Sequence, residues 1–282
     1  MQVNLKILRY NPEIDSKAHF ETYTVEAEPT DRVLDALNEV KWTRDGTLTY
    51  RRSCAHGVCG SDAMRINGRN ALACKLLIQD VGDSMTIEPL MGFRVIKDLV
   101  IDMDQFWENY KKIKPFLIND DQAPAGRERL QSQEEREVFD DTTKCIMCAA
   151  CTTACPITWT NDKWVGPAAI VAAHRFIYDS RDQGQDERLN ILNDRSGVWR
   201  CRTVFNCTDA CPRDIKVTRA IEQVKRTMLY DNMEDYSRPP TPAQVPSVGV
   251  GVYRAKQSRR SCILPFCEDI RGLERYAYGE SV

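Results

Sequence analysis

No stretch of the 282-residue chain approaches the roughly 18 to 20 uninterrupted apolar residues that a membrane span needs. The most apolar window, 165–178, carries His174 and Arg175 and reads as a buried amphipathic helix. Charge of one sign is also lacking. The formal net charge is −2, which excludes a bulk basic field for nucleic acid or anionic lipid. Signal or transit composition is missing from the N-terminus, where Met1-Gln2-Val3-Asn4-Leu5-Lys6 begins directly with strand-like alternation. There is no nucleophile–base pair, phosphate loop or dinucleotide fingerprint. Histidine is scarce, with three residues against 12 cysteines. Apolar residues at 42% and charged residues at 28% allow a packed core and exclude global disorder; the length suits about two domains.

The cysteines are clustered. Three fall within 54–74, seven within 145–211, and two at Cys262 and Cys267. Cysteines three residues apart pair poorly as disulfides, because a short turn or helix points their side chains apart. Metal sites in a reducing compartment are therefore the main reading and disulfides the minor one.

The first hundred residues read as β-rich. Val3, Leu5 and Ile7 alternate in a half-buried strand, and 20–25 completes a hairpin. A helix over 32–40, capped by Asp31, places Val33, Leu34, Leu37 and Val40 on one face. Asn67-Gly68 is a hairpin signal, and 85–89 is a short closing strand. After Leu90 the pattern turns helical. Phe106, Tyr110, Ile113 and Leu117 share helical spacing within about 102–116, and a polar connector over 119–129 precedes a helix through Phe139. Further helices are expected over 168–179, opened by Gly166-Pro167, and over 218–230. The stretch 236–282, rich in proline and glycine, reads as an extended or disordered tail.

Cys54-x4-Cys59-x2-Asp62-x11-Cys74 follows the plant-type ferredoxin spacing for a 2Fe–2S cluster, with an aspartate in the third place. A carboxylate is an anionic oxygen donor and can ligate iron. His56 within this loop reads as a solvent-facing residue, since a Rieske-type site needs two histidines. The run Cys145-x2-Cys148-x2-Cys151-x3-Cys155-Pro156 is the bacterial-ferredoxin pattern, whose fourth cysteine serves another cluster. The same register returns 56 residues later as Cys201-x2-Val204-x2-Cys207-x3-Cys211-Pro212. Crossed ligation gives Cys145, Cys148, Cys151 and Cys211 to a 4Fe–4S cluster. It leaves Cys155, Cys201 and Cys207 for a second cubane that Val204 cannot complete, hence 3Fe–4S. A zinc site from Cys145, Cys148, Cys207 and Cys211 is the competing reading, and it leaves Cys151, Cys155 and Cys201 unexplained. Three clusters in one chain form a single-file electron wire whose donor and acceptor lie largely in partners.

These residues resemble the iron–sulfur subunit of succinate dehydrogenase or fumarate reductase, respiratory complex II, in a bacterial form. The likeness is carried by Arg51-Arg52-Ser53-Cys54, by Gly57 to Asp62, by Leu72-Ala73-Cys74, by 145–156, by Gly166-Pro167-Ala168, by Tyr178 to Asp182 and by 201–212. The resemblance implies an α+β chain in three parts. A plant-type ferredoxin, β-grasp-like domain spans 1–100; a mainly α-helical, bacterial-ferredoxin-like domain spans 101–235; the tail is 236–282.

The resemblance further implies a flavoprotein partner whose FAD oxidises succinate, and a membrane-anchor partner where the 3Fe–4S cluster reduces quinone. The expected place is the cytoplasmic face of a bacterial membrane, held there peripherally, with no nucleic acid partner. Pro156 and Trp159 fall in the quinone-site vicinity by resemblance, with packing an equal reading for Trp159. Arg202 stands where the family often has histidine, and it can polarise but not shuttle protons; a surface salt bridge is its alternative role. Quinol:fumarate reductase, a soluble multi-cluster adaptor and a zinc-stapled module are the competing functions.

Overall fold

The computed structural model describes residues 1–230. The expected tail, with Cys262 and Cys267, lies outside the described residues.

Alternating apolar side chains build the first unit. In β1 (Gln2–Arg9) Val3, Leu5 and Ile7 are fully buried, and β2 (His19–Glu26) pairs with it antiparallel from Gln2 opposite Glu26 to Arg9 opposite His19. The Asn67-Gly68 turn joins β3 (Ala63–Ile66) to β4 (Arg69–Leu72), as that dipeptide predicts. The closing strand β5 (Ser84–Glu88) sits centrally, parallel to β1 and antiparallel to β3, giving the order β2-β1-β5-β3-β4. Helix α1 (Val33–Glu39) buries Val33, Leu34 and Leu37, with Val40 beyond its end, in one core with the strands. Asp31 does not cap it. Its carboxylate accepts the Glu28 N–H, and Asp35 reaches back to the Arg32 N–H at 3.0 Å instead. A short helix α2 (Ile78–Val81) precedes β5.

Between Leu90 and the helices lies an unexpected hairpin, β6 (Val95–Lys97) and β7 (Val100–Ile101). Buried Asp98 at its tip accepts hydrogen bonds from the Tyr10 and Thr49 N–H groups and from Arg9, so the hairpin is locked by distant residues. Arg9 also pairs with Glu21 and Asp45.

The helix expected over about 102–116 is shorter: α3 spans Asp104–Lys112. Lys114 is left-handed at φ 51°, immediately before Pro115, and Leu117 is exposed rather than part of the core. Fully buried Arg188 gathers the carbonyls of Ile113, Lys114 and Phe116 and pairs with Asp182 at 2.6 Å, which holds this stretch non-helical. The helix through Phe139 is divided into α4 (Gln133–Glu137) and α5 (Asp140–Thr143), with Phe139 fully buried between them.

The remaining α-helices are α6 (Ala150–Thr153), α7 (Pro156–Thr160), α8 (Pro167–Ile177), α9 (Gln185–Leu192), α10 (Asn206–Asp209) and α11 (Val217–Tyr230). Proline in the first turn of α7 and of α8 costs no hydrogen bond there. Helices α8 and α11 pack together in the second core. Buried His174 of α8 joins them, with Nε2 2.8 Å from Gln223 Oε1 and Nδ1 3.3 Å from Thr142 Oγ1. A third apolar cluster, including Leu90, Val95, Ile101, Phe106, Ala149 and Ala168, bridges the strand unit to the helices. Among the described residues no helix is long and apolar enough to cross a membrane.

Candidate metal centres

The loop between Cys54 and Cys59 curls because Ala55, Gly57 and Gly60 all take left-handed φ, at 58°, 81° and 70°. The curl turns the N–H groups of His56, Val58 and Cys59 onto Cys54 Sγ at 3.5, 3.4 and 3.3 Å. These donors stabilise the thiolate and hold the Cys54 thiol down at about 6. The His56 side chain points to solvent and contributes only its N–H.

Asp62 lies at the start of β3, 2% exposed. Its Oδ2 accepts the Cys74 N–H at 2.6 Å, while Oδ1 has no hydrogen-bond partner among the described residues. The Cys74 thiol is pushed up to about 12, first by burial and then by the adjoining Asp62 carboxylate. A buried carboxylate oxygen without a partner is costly unless a cation takes it. Iron shared with Cys54, Cys59 and Cys74 fits that donor set.

The two cysteine runs repeat in backbone as well as in sequence. Met147 and Ala149 are left-handed at φ 54° and 62°, two and four residues after Cys145. Thr203 and Phe205 take the same positions after Cys201, at 56° and 70°. In each copy a one-turn helix follows, α6 and then α10. Non-glycine residues in this region cost of order 1 kcal/mol each. The same strain at the same offsets points to one requirement met twice.

Two cavities result. Cys145, Cys148, Cys151 and Cys211 line one, with Ala168, Val171 and Ile215 as apolar walls; it holds about 360 Å³ free of protein atoms. Cys155, Cys201 and Cys207 line the other, with Val204, Phe205 and Ile221, and it holds about 310 Å³. Cys207 lies on the second cavity, apart from Cys145, Cys148 and Cys211, so the four residues of the zinc reading do not converge. Among the described residues, no three His, Cys, Asp or Glu side chains meet at the one point a single ion requires, and none of the ten cysteines is in a disulfide. Thiols spread around a space suit a cage of several irons. Burial pushes Cys148 up to about 12 and Cys151 well above its ordinary value. These thiols need bound cations to become thiolate ligands.

Pro156 and Arg202 line the second cavity, and the Arg202 side chain is exposed, with no ion pair among the described residues. Trp159 lies elsewhere. Its indole packs on Gly92, donates from Nε1 to the Thr153 carbonyl at 2.7 Å, and lines a separate, wider cleft between the two units, about 1720 Å³ free of protein atoms. Thr218, absent from the sequence expectations, places Oγ1 3.5 Å from Cys207 Sγ. It stands eleven residues on, at the start of α11, and only the fold connects them.

The cradles touch. A Cβ on Gly60 would lie 2.6 Å from Cys148 Cβ, and the Asn70 side-chain amide donates to the Ala150 carbonyl and to Thr153 Oγ1. Residues next to one thiol set therefore contact residues of the next without an intervening element.

A plant-type cradle seated on a duplicated bacterial-type cradle defines an iron–sulfur electron-transfer protein. The comparisons agree. Residues 4–108 match the family described as 2Fe-2S iron-sulfur cluster binding domain, and 137–212 match the 4Fe-4S dicluster domain. A succinate dehydrogenase iron-sulfur subunit of Coxiella burnetii is 43% identical over 81% of this chain and 98% of its own length. The mitochondrial succinate dehydrogenase [ubiquinone] iron-sulfur subunit of Candida glabrata is 41% identical over 80% of this chain and 91% of its own. Among solved structures, a chain of the Mycobacterium smegmatis Sdh1 complex in the apo form superposes with a TM-score of 0.74 at 27% identity, covering 84% of this chain and 99% of that one.

The chain belongs to the family of succinate dehydrogenase iron–sulfur subunits. It is the electron-transfer subunit of that dehydrogenase, with 2Fe–2S and 4Fe–4S cluster domains.

Proposed function

We propose that Cys54, Cys59, Asp62 and Cys74 hold the 2Fe–2S cluster, Cys145, Cys148, Cys151 and Cys211 the 4Fe–4S cluster, and Cys155, Cys201 and Cys207 the 3Fe–4S cluster. The observation that carries this reading is the sorting of seven cysteines, interleaved in sequence, into one cavity with four thiols and another with three. The clusters supply one-electron chemistry when bound, so no side chain has to. What the chain's own residues do is hold and separate. The left-handed loops aim N–H groups at sulfur, Ala168 and Val171 keep water from the four-thiol site, and Gly60 lets the first loop reach the second.

On this reading electrons enter from a flavoprotein partner bearing FAD and oxidising succinate, and leave to a quinone beside a membrane-anchor partner. Pro156 and Arg202 would flank the exit, since they share the three-thiol cavity with exposed Val204 and Phe205. Trp159 would act from the neighbouring cleft. The place would be the cytoplasmic face of a bacterial membrane, and the working division would be 1–100 and 101–235.

The test is anaerobic purification of the complex followed by low-temperature EPR. Three centres, including a 3Fe–4S signal in the oxidised state, together with co-isolation of a flavoprotein and a hydrophobic anchor are expected. A lone soluble chain holding zinc would overturn the reading.

A further inference from the structure

The first cradle meets the second at a further point, through a side chain that ligates nothing. Lys75 follows Cys74 directly. Its stem lies across the Cys54–Cys59 loop, so closely that a Cβ on Gly57 would sit 2.9 Å from both Cγ and Cδ of the lysine. Gly57 is left-handed at φ 81°, and its missing side chain is the space the lysine occupies. The ammonium then reaches across the chain and donates to the Pro212 carbonyl at 2.7 Å. Pro212 follows Cys211, a wall of the four-thiol cavity. One side chain therefore starts beside a thiol of the first set, covers the loop of that set, and ends against the backbone of the second.

The placement differs from that of an ordinary surface lysine. Among the described residues Lys75 forms no ion pair, and its ammonium is bound to a neutral carbonyl. A positive charge beside a metal centre favours the form carrying the extra electron, by Coulomb attraction that partial exposure screens but does not abolish. The hydrogen bond also opposes separation of the two units, at a second contact besides that of Gly60 with Cys148.

We propose that Lys75 is a positioning residue for electron transfer between the first two centres, a charged clasp that fixes their approach and raises both reduction potentials. The proposal rests on the ligand assignment above. The role is electrostatic, so it is sensitive to salt, and it asks for a cation of lysine's reach rather than for lysine alone.

The experiment is an EPR-monitored redox titration of the intact complex carrying Lys75→Met, Lys75→Gln or Lys75→Arg. Methionine keeps the stem that covers Gly57 and removes the charge. In Lys75→Met and Lys75→Gln all three centres should assemble. The 2Fe–2S and 4Fe–4S potentials should shift downward and the 3Fe–4S potential should stay, with a shift that shrinks as ionic strength rises. Lys75→Arg should titrate like the unsubstituted complex.

Unshifted potentials in both neutral variants would overturn the proposal. An equal shift in Lys75→Arg would overturn the charge role and leave packing. If one neutral variant fails to assemble, the other carries the comparison. Failure of both with Lys75→Arg intact would support the clasp through its hydrogen bond, and failure of all three would overturn it. Absence of the assigned centres from the unsubstituted complex would show instead that the ligand assignment had failed, before any variant was read.

Discussion

The two copies of the cysteine run share a backbone and differ at one corner. Met147 and Ala149 in the first have the left-handed φ of Thr203 and Phe205 in the second. The corner residue is Cys148 in one and Val204 in the other. Their surroundings differ as much as their chemistry. Cys148 is half-buried against Gly60, and Ala149 beside it is 1% exposed, whereas Val204 is 50% and Phe205 53% exposed. The first copy is closed by the strand unit, and the second opens outward. One duplicated scaffold thus forms two cavities, and the covering of the corner changes together with the residue that stands there.

The largest expected effect comes from making the first copy like the second. Cys148→Val should abolish the reduced 4Fe–4S signal, because the cubane loses one of four thiolates; EPR of the reduced protein checks it. A full-intensity signal in that variant would break the comparison. Next is the contact that closes the corner. Gly60→Ala puts a Cβ into Cys148 and a side chain on a left-handed residue, and should destabilise the protein by about 3 kcal/mol in chemical denaturation.

A smaller effect concerns the helices that follow each copy, α8 and α11, joined by His174 and Gln223. Burial lowers the His174 imidazole from an ordinary 6.5 to about 4. The unfolded chain therefore binds the proton first as pH falls. The contribution is complete above about 6.5 and drains between there and about 4, amounting to about 2 kcal/mol between pH 7 and 5. Denaturation at the two pH values should show that loss in the unsubstituted protein and a flatter response in His174→Gln.

Sequence and structure agree most closely where a pattern is local. Val3, Leu5 and Ile7 alternate and are buried in alternation, Asn67-Gly68 makes its two-residue turn, and α8 begins at the proline after Gly166. The spacing of the cysteines is equally local, so both runs and the vacant thiolate at Val204 can be read before any fold is known. Disagreement arises where distant residues decide. Hairpin β6–β7 has strands of three and two residues and depends on Asp98 receiving Arg9, Tyr10 and Thr49. The apolar spacing of Ile113 and Leu117 suggests a longer α3, but Arg188 captures the carbonyls that a further turn would use. Pro115 was the local signal against helix there, since the residue before proline disfavours helical φ and ψ. The contacts of Thr218 with Cys207 and of Gly60 with Cys148 carry no local mark, because each depends on a partner brought close by folding.

The central claim is that the three-thiol cavity differs from the four-thiol one by the residue at position 204. It is tested most directly by low-temperature EPR of the oxidised Val204→Cys complex beside the unsubstituted one. The expected result is loss of the oxidised 3Fe–4S signal and appearance of a second 4Fe–4S centre of lower potential on reduction, since a thiolate adds negative charge. An undiminished 3Fe–4S signal in the folded Val204→Cys complex would contradict the assignment of Cys155, Cys201 and Cys207 to that centre.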